Sequence, residues 1–229
     1  MSRSPEFALA RLLQLASPAL PVGAYSYSQG LEAAVEAGTV ANAAAAERWI
    51  GDALLFSLAR FEAPVLCRLH CAWTTRDRPA VQHCNDWFVA TRETAELRAE
   101  TLQMGYSLRR LCIDLGEFDA GLLANLTALE EVAFPTAFAF AAAQWEIPAR
   151  EALLGYLWSW LENQTMAALK AVPLGQTDGQ RLLGRLGGRL AQIVDDAMTR
   201  DEARLANFAP GLAIASSRHE TQYSRLFRS

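Results

Sequence analysis

The residues best suited by type and spacing to metal chemistry are Cys67, His70 and Cys71, with His83 and Cys84 further along. Cys67, His70 and Cys71 lie three or four positions apart in a predicted helix, so they share a face. Thiolate and imidazole together suit zinc or nickel. A structural zinc site, however, asks for two well-formed ligand pairs, and neither Cys67/Cys71 nor His83/Cys84 has that spacing. Free cysteine is also a common small hydrophobe of protein cores. Packing is the favoured reading of the cluster; a metal-binding chaperone using these side chains is the alternative.

Other chemistry is harder to find. The paired acids Glu130-Glu131 and Asp195-Asp196 are sequence neighbours, which do not face each other on a helix. General acid–base work needs two groups converging on one substrate. No Gly-x-Ser-x-Gly elbow is present, and none of the three histidines, His70, His83 and His219, sits in a recognisable triad setting. Gly184 and Gly188 lack the Gly-Lys-Ser/Thr and the preceding strand of a phosphate loop. Arg181, Arg185 and Arg189 form a basic stripe whose default is a solvated helix face. The expectation is a protein that is not an enzyme.

Two segments carry more than a packing reading explains. In Gly23-Ala24-Tyr25-Ser26-Tyr27-Ser28-Gln29-Gly30-Leu31-Glu32, Ser28 is suited to cap a helix and Glu32 to sit near its positive end. The two tyrosines fit a half-buried, partner-facing corner better. The stretch 209–229 begins at a Pro-Gly break and carries Arg218, Arg225 and Arg228 beside Tyr223 and Phe227. Short cationic ends are usually mobile, but Tyr223, Leu226 and Phe227 are apolar anchors that allow folding on a partner.

The elements that position these residues are helical. Of 229 residues, 52% are hydrophobic and 20% charged, which excludes disorder as the bulk state. Alanine and leucine dominate, favouring helix. Periodicity predicts a helix over 7–15, a Pro/Gly-bounded connector over 17–23, and a helix from near Ser28 to Gly38. Asn42 is a predicted N-cap, with Ile50, Leu54, Ser57/Leu58 and Phe61 on one face and Pro64 ending or kinking the run. Helices follow through Arg68, after Pro79, over 93–115, over 128–144, from Pro148 to Ala168 and over 178–204. No period-two strand pattern appears. The reading is an all-α, single-domain bundle of about eight to ten helices over 1–208, with a flexible C-terminal partner-binding tail over 209–229.

The net charge of −4 argues against nucleic acid as the main partner. The longest apolar stretch, 132–143, is too short to span a bilayer. The N-terminal residues do not read as a secretory leader, so four reduced cysteines in the cytoplasm are expected.

Several blocks resemble one family. The run from Leu13-Gln14-Leu15-Ala16-Ser17-Pro18 through Pro21-Val22-Gly23 and Tyr25-Ser26-Tyr27-Ser28-Gln29-Gly30-Leu31-Glu32 resembles the opening of urease accessory protein F. So do Arg92-Glu93-Thr94-Ala95-Glu96-Leu97-Arg98, Lys170-Ala171-Val172-Pro173-Leu174-Gly175-Gln176 and the ending Ser217-Arg218-His219-Glu220-Thr221-Gln222-Tyr223-Ser224-Arg225-Leu226-Phe227-Arg228-Ser229. Gln29 stands where some members carry histidine. The resemblance implies a non-catalytic scaffold, often homodimeric. It would bridge accessory protein D (or H) and the nickel-binding GTPase G, and act with them on apo-urease. Nickel and GTP would be handled by those partners, with no cofactor of the chain's own. By the same resemblance Tyr25, Gln29, Glu32, Lys170, Pro173 and Gln176 would face or gate the GTPase. Arg218, His219, Glu220, Tyr223, Arg225 and Phe227 would dock D/H.

Overall fold

The computed structural model describes residues 4–229, and the described residues form helices and connecting loops without a strand. Twelve α-helices follow in order: α1 Pro5–Ala16, α2 Leu31–Glu36, α3 Ala43–Ala53, α4 Ala63–Thr75, α5 Arg78–Ala90 and α6 Ala95–Leu115, then α7 Ala120–Thr127, α8 Phe134–Gln144, α9 Ala149–Ala171, α10 Gln176–Gly187, α11 Leu190–Met198 and α12 Pro210–His219. Local chemistry sets many of the starts. The side chains of Ser4, Asn42, Asp77, Thr94 and Asp119 each accept a first-turn N–H of the helix they precede.

At the centre lies α8. Every residue from Pro135 to Ala142 is buried, and α4, α6, α9, α1 and α5 pack around it. A helix apolar on all sides belongs inside a bundle, and its alanines let neighbours approach closely. Gly105 of α6 shows how tightly: a Cβ there would fall 1.9 Å from the Val132 carbonyl oxygen. The loop before α8 is pinned by Asn85 of α5, which donates to the Glu131 carbonyl and accepts from Ala133 N–H. Arg109 donates to the Leu129 carbonyl. These contacts make 128–133 a loop instead of the first turns of a helix, and α7 is an element that the periodicity did not resolve.

Two other expectations change. Pro64 does not end its helix. The chain runs from α3 into α4 through a π-helical stretch, Leu54–Glu62. In a regular helix the missing N–H of Pro64 would orphan the Arg60 carbonyl; here Ala206 N–H donates to it at 3.3 Å. The predicted helix over 178–204 is two helices broken at Gly187-Gly188, where α10 turns over Trp158 with a Gly187 Cβ position 3.2 Å from its ring.

The final correction concerns 209–229. The expected flexible tail is folded onto the body: α12 packs on α2 and α6, and Ala215, Ser216, His219, Phe227 and Ser229 are buried. The reason is that Glu32, Glu96 and Glu100 of the body accept its donors. No helix among the described residues is long and apolar enough to cross a membrane.

Candidate functional site

The corner 23–32 is built on two glycines with left-handed backbone, Gly23 and Gly30, both at φ +76°, with Gln29 also left-handed at φ +52°. Gly30 is required twice over, because a Cβ there would meet Ser216 N of α12 at 2.8 Å. Between α1, this corner, α6 and α9 opens a cavity of about 250 Å³. Its walls are mostly apolar, with Leu15, Leu20, Val22, Leu97 and Met104 among them. Its rim includes Tyr25 and Lys170, and Gln29 lies inside. The sequence-predicted residues Tyr25, Gln29 and Lys170 are thus brought together. Pro173 and Gln176 are exposed beyond the end of α9 and do not line the cavity.

Buried charge closes the inner end. Arg92 donates to Glu62 Oε1 at 2.6 Å and lies over the Phe88 ring at 4.2 Å, while Tyr156 O–H donates to Glu62 Oε2 at 3.1 Å. Burial pushes the Tyr156 hydroxyl well above the usual phenol range, with the Glu62 charge adding to it. Beside this group, Trp160 Nε1 donates to Gln29 Oε1, and Gln29 Nε2 donates to Glu100 Oε1, both at 2.7 Å. Burial drives the Glu100 carboxyl up to about 7, against hydrogen bonds from Gln29 and Ser229 that pull it down. Glu62, Arg92, Glu100, Tyr156 and Trp160 were not singled out from sequence. A signal existed for Glu62: it follows Leu58 by four residues and so shares a buried helical stripe.

Glu32 is not a surface residue. Its Oε1 accepts Leu226 N–H at 2.7 Å, and its Oε2 accepts Phe227 N–H at 3.0 Å and faces His219 Nε2 at 3.2 Å. The other ring nitrogen, Nδ1, is 2.8 Å from Glu96 Oε2, and Arg225 donates to Glu96 Oε1 at 2.8 Å. Glu220 accepts Ala95 N–H at the start of α6. At the end, Ser229 Oγ donates to Glu100, Ser28 N–H donates to the Ser229 carbonyl, and Arg228 N–H donates to the Ser26 carbonyl. The corner and the tail, separate in the sequence, are therefore one structure. His219 and Phe227 are interior, whereas Arg218, Tyr223 and Arg225 stay exposed and Glu220 is half-buried. Lys170 is the only lysine of the chain, and its Nζ sits 5.6 Å from the Phe227 ring centre.

Cys67, His70 and Cys71 do not converge. Cys67 is half-buried and Cys71 exposed, while His70 is buried with Nε2 2.8 Å from the Ile147 carbonyl. Burial raises the Cys67 thiol, disfavouring the ligating thiolate. Among the described residues no group of three or more His, Cys, Asp or Glu side chains is arranged to hold a metal ion.

The UreF family profile matches residues 40–187. "Urease accessory protein UreF" of Azoarcus sp. (strain BH72) is 63% identical over 223 residues, covering 96% of this chain and 95% of the relative. The chain belongs to the UreF family. Proteins of the same name from Dechloromonas aromatica (strain RCB) and Janthinobacterium sp. (strain Marseille) are 54% and 55% identical, over 96% and 97% of this chain and 97% and 98% of theirs. The aligned spans of these UreF relatives take in nearly all of the chain. Membership gives the chain a role in urease maturation.

Proposed function

We propose that this UreF-family chain is a non-catalytic cytoplasmic scaffold. It bridges accessory protein D (or H) and the nickel-binding GTPase G, working as a homodimer on apo-urease to help deliver nickel. Nickel is cargo, and GTP chemistry belongs to the partner. The observation that carries this reading is the strap over 219–229. It is anchored inward by His219 and Phe227 while Tyr223 is wholly exposed and Leu226 is 71% exposed. An aromatic and an aliphatic side chain held outward on a pinned segment are anchors for a partner pocket, since rigid presentation lowers the ordering cost of binding. Tyr25 and Lys170, on the cavity rim beside the strap, are the proposed contacts to the GTPase.

The test is co-purification with accessory protein D. The full chain should capture D, and the double substitution Tyr223→Ala/Leu226→Ala, which touches no buried group, should reduce capture at least tenfold. Equal capture by both removes the strap as the docking element. Failure of the unaltered chain to capture D removes the scaffold reading.

A further inference from the structure

His219 is wholly buried, and each of its ring nitrogens faces a carboxylate: Nδ1 faces Glu96 at 2.8 Å and Nε2 faces Glu32 at 3.2 Å. Imidazole donates from both nitrogens only as the imidazolium. The neutral ring would turn one lone pair toward a carboxylate oxygen in a water-excluded site. The same two carboxylates hold the rest of the strap, Glu32 through the Leu226 and Phe227 amides and Glu96 through Arg225. Removing the ring's second proton therefore sets Glu32 and Glu96 against the segment they anchor.

We propose that residues 219–229 are a pH-sensitive strap, latched to the body by the doubly protonated His219 between Glu32 and Glu96 and loosened when that ring loses a proton. The charged groups facing the ring come from each packed element: Glu32 from α2, Glu96 from α6, and Arg225 of the strap on the far side of Glu96. Glu100 lies one turn along α6 and binds Ser229. On the histidine's own side, Arg218 points to solvent and Glu220 turns to Ala95 N–H. From α9, Lys170 lies over the Phe227 ring.

Glu100 is a separate group. Burial in the body raises its carboxyl to about 7, while the Ser229 hydroxyl, donating to it, pulls it down. A donor bond of that kind favours the ionised carboxylate, so the Ser229 contact does not close the strap on the acid side. The acid-side latch is the placing of His219 between two carboxylates. The latch is a property of the chain alone and does not depend on what the strap docks.

The experiment is NMR on the full chain from about pH 5 to about pH 8, the range in which histidine charge changes matter. It reads the ¹⁵N shifts of the His219 ring and the hydrogen exchange of the Leu226 and Phe227 amides, each corrected for its intrinsic rate. The expected result is a ring protonated at both nitrogens at the acid end. Amide protection should then fall on the order of tenfold as the ring titrates, with α4 amides unchanged. In His219→Gln, protection of these two amides should be low throughout and should lack the fall seen in the unaltered chain. A neutral ring beneath protected amides overturns the latch. So does protection that stays constant while the ring titrates, loss of α4 protection in step, or a response abolished by Glu100→Gln alone. Should His219→Gln not fold, the ring and amide signals of the unaltered chain decide the question.

Discussion

Two ionic clusters, one lining the cavity and the other beneath the strap, are built differently. On one side Glu62, Arg92 and Tyr156 come from the π-helical stretch, the α5–α6 junction and α9, and they join body to body. On the other, Glu32 and Glu96 of the body meet His219 and Arg225 of the strap. Arginine does not deprotonate in proteins, so the first cluster holds its charge across the physiological range. The second has histidine at its centre and a chain segment that can swing away. The first fixes the cavity; the second decides whether the chain end closes over the corner.

Breaking the first cluster should have the larger effect. Arg92→Ala leaves Glu62 buried without its cation, and chemical denaturation should show a loss of about 3–5 kcal/mol. A loss below about 1 kcal/mol would mean that water already serves Glu62. Next comes pH. Glu100 is raised from its ordinary value to about 7 by burial, so its contribution to stability is full at acid pH and fades as pH climbs from about 4.5 to about 7. At about 1.4 kcal/mol per pH unit, the unaltered chain should be less stable at pH 8 than at pH 5 by up to about 3 kcal/mol. Glu100→Gln should flatten that slope, and an unchanged slope would assign it to other groups.

Disturbing the strap should cost less globally. Glu32→Gln keeps the side chain's shape but weakens the charge-assisted bonds to Leu226, Phe227 and His219, with an expected loss of about 2 kcal/mol. Limited proteolysis should cut first near Arg225 or Arg228 while the helical body stays intact; simultaneous digestion of body and strap would erase the distinction between the clusters. The smallest structural effect belongs to Lys170→Ala, which removes a cation–π contact worth about 0.5–1 kcal/mol at a partly exposed site. Its proposed effect is functional: GTP hydrolysis in the assembled complex should change while thermal unfolding of the isolated chain stays within a few degrees. Unchanged hydrolysis in an intact complex would take Lys170 out of the GTPase interface.

Much of the helical order was legible locally. Asn42 caps α3, and the stripe Leu182, Leu186, Leu190, Ile193 and Ala197 is buried along its length, because caps and apolar periodicity act within a few residues. Positions whose conformation answers to remote partners were not legible. Pro64 reads as a helix break until Ala206, far along the chain, supplies the missing donor to Arg60. Residues 128–133 read as helix until Asn85 and Arg109 claim their backbone. Of the site, Tyr25, Gln29 and Lys170 were found by resemblance and do share one cavity, whereas Glu100, Tyr156 and Trp160 carry no local mark of their role.

By itself, the sequence determined an all-helical chain of the UreF family with an apolar core and a cationic, aromatic ending, since propensity, capping and motif order are carried by neighbouring residues. Only the tertiary structure decided that the ending is folded onto the body. Its anchors, Glu32, Glu96 and Glu100, are more than a hundred residues away from the groups they hold. Buried carboxylates must find donors wherever the fold brings them, and that pairing is a property of three-dimensional proximity, which a linear pattern does not encode.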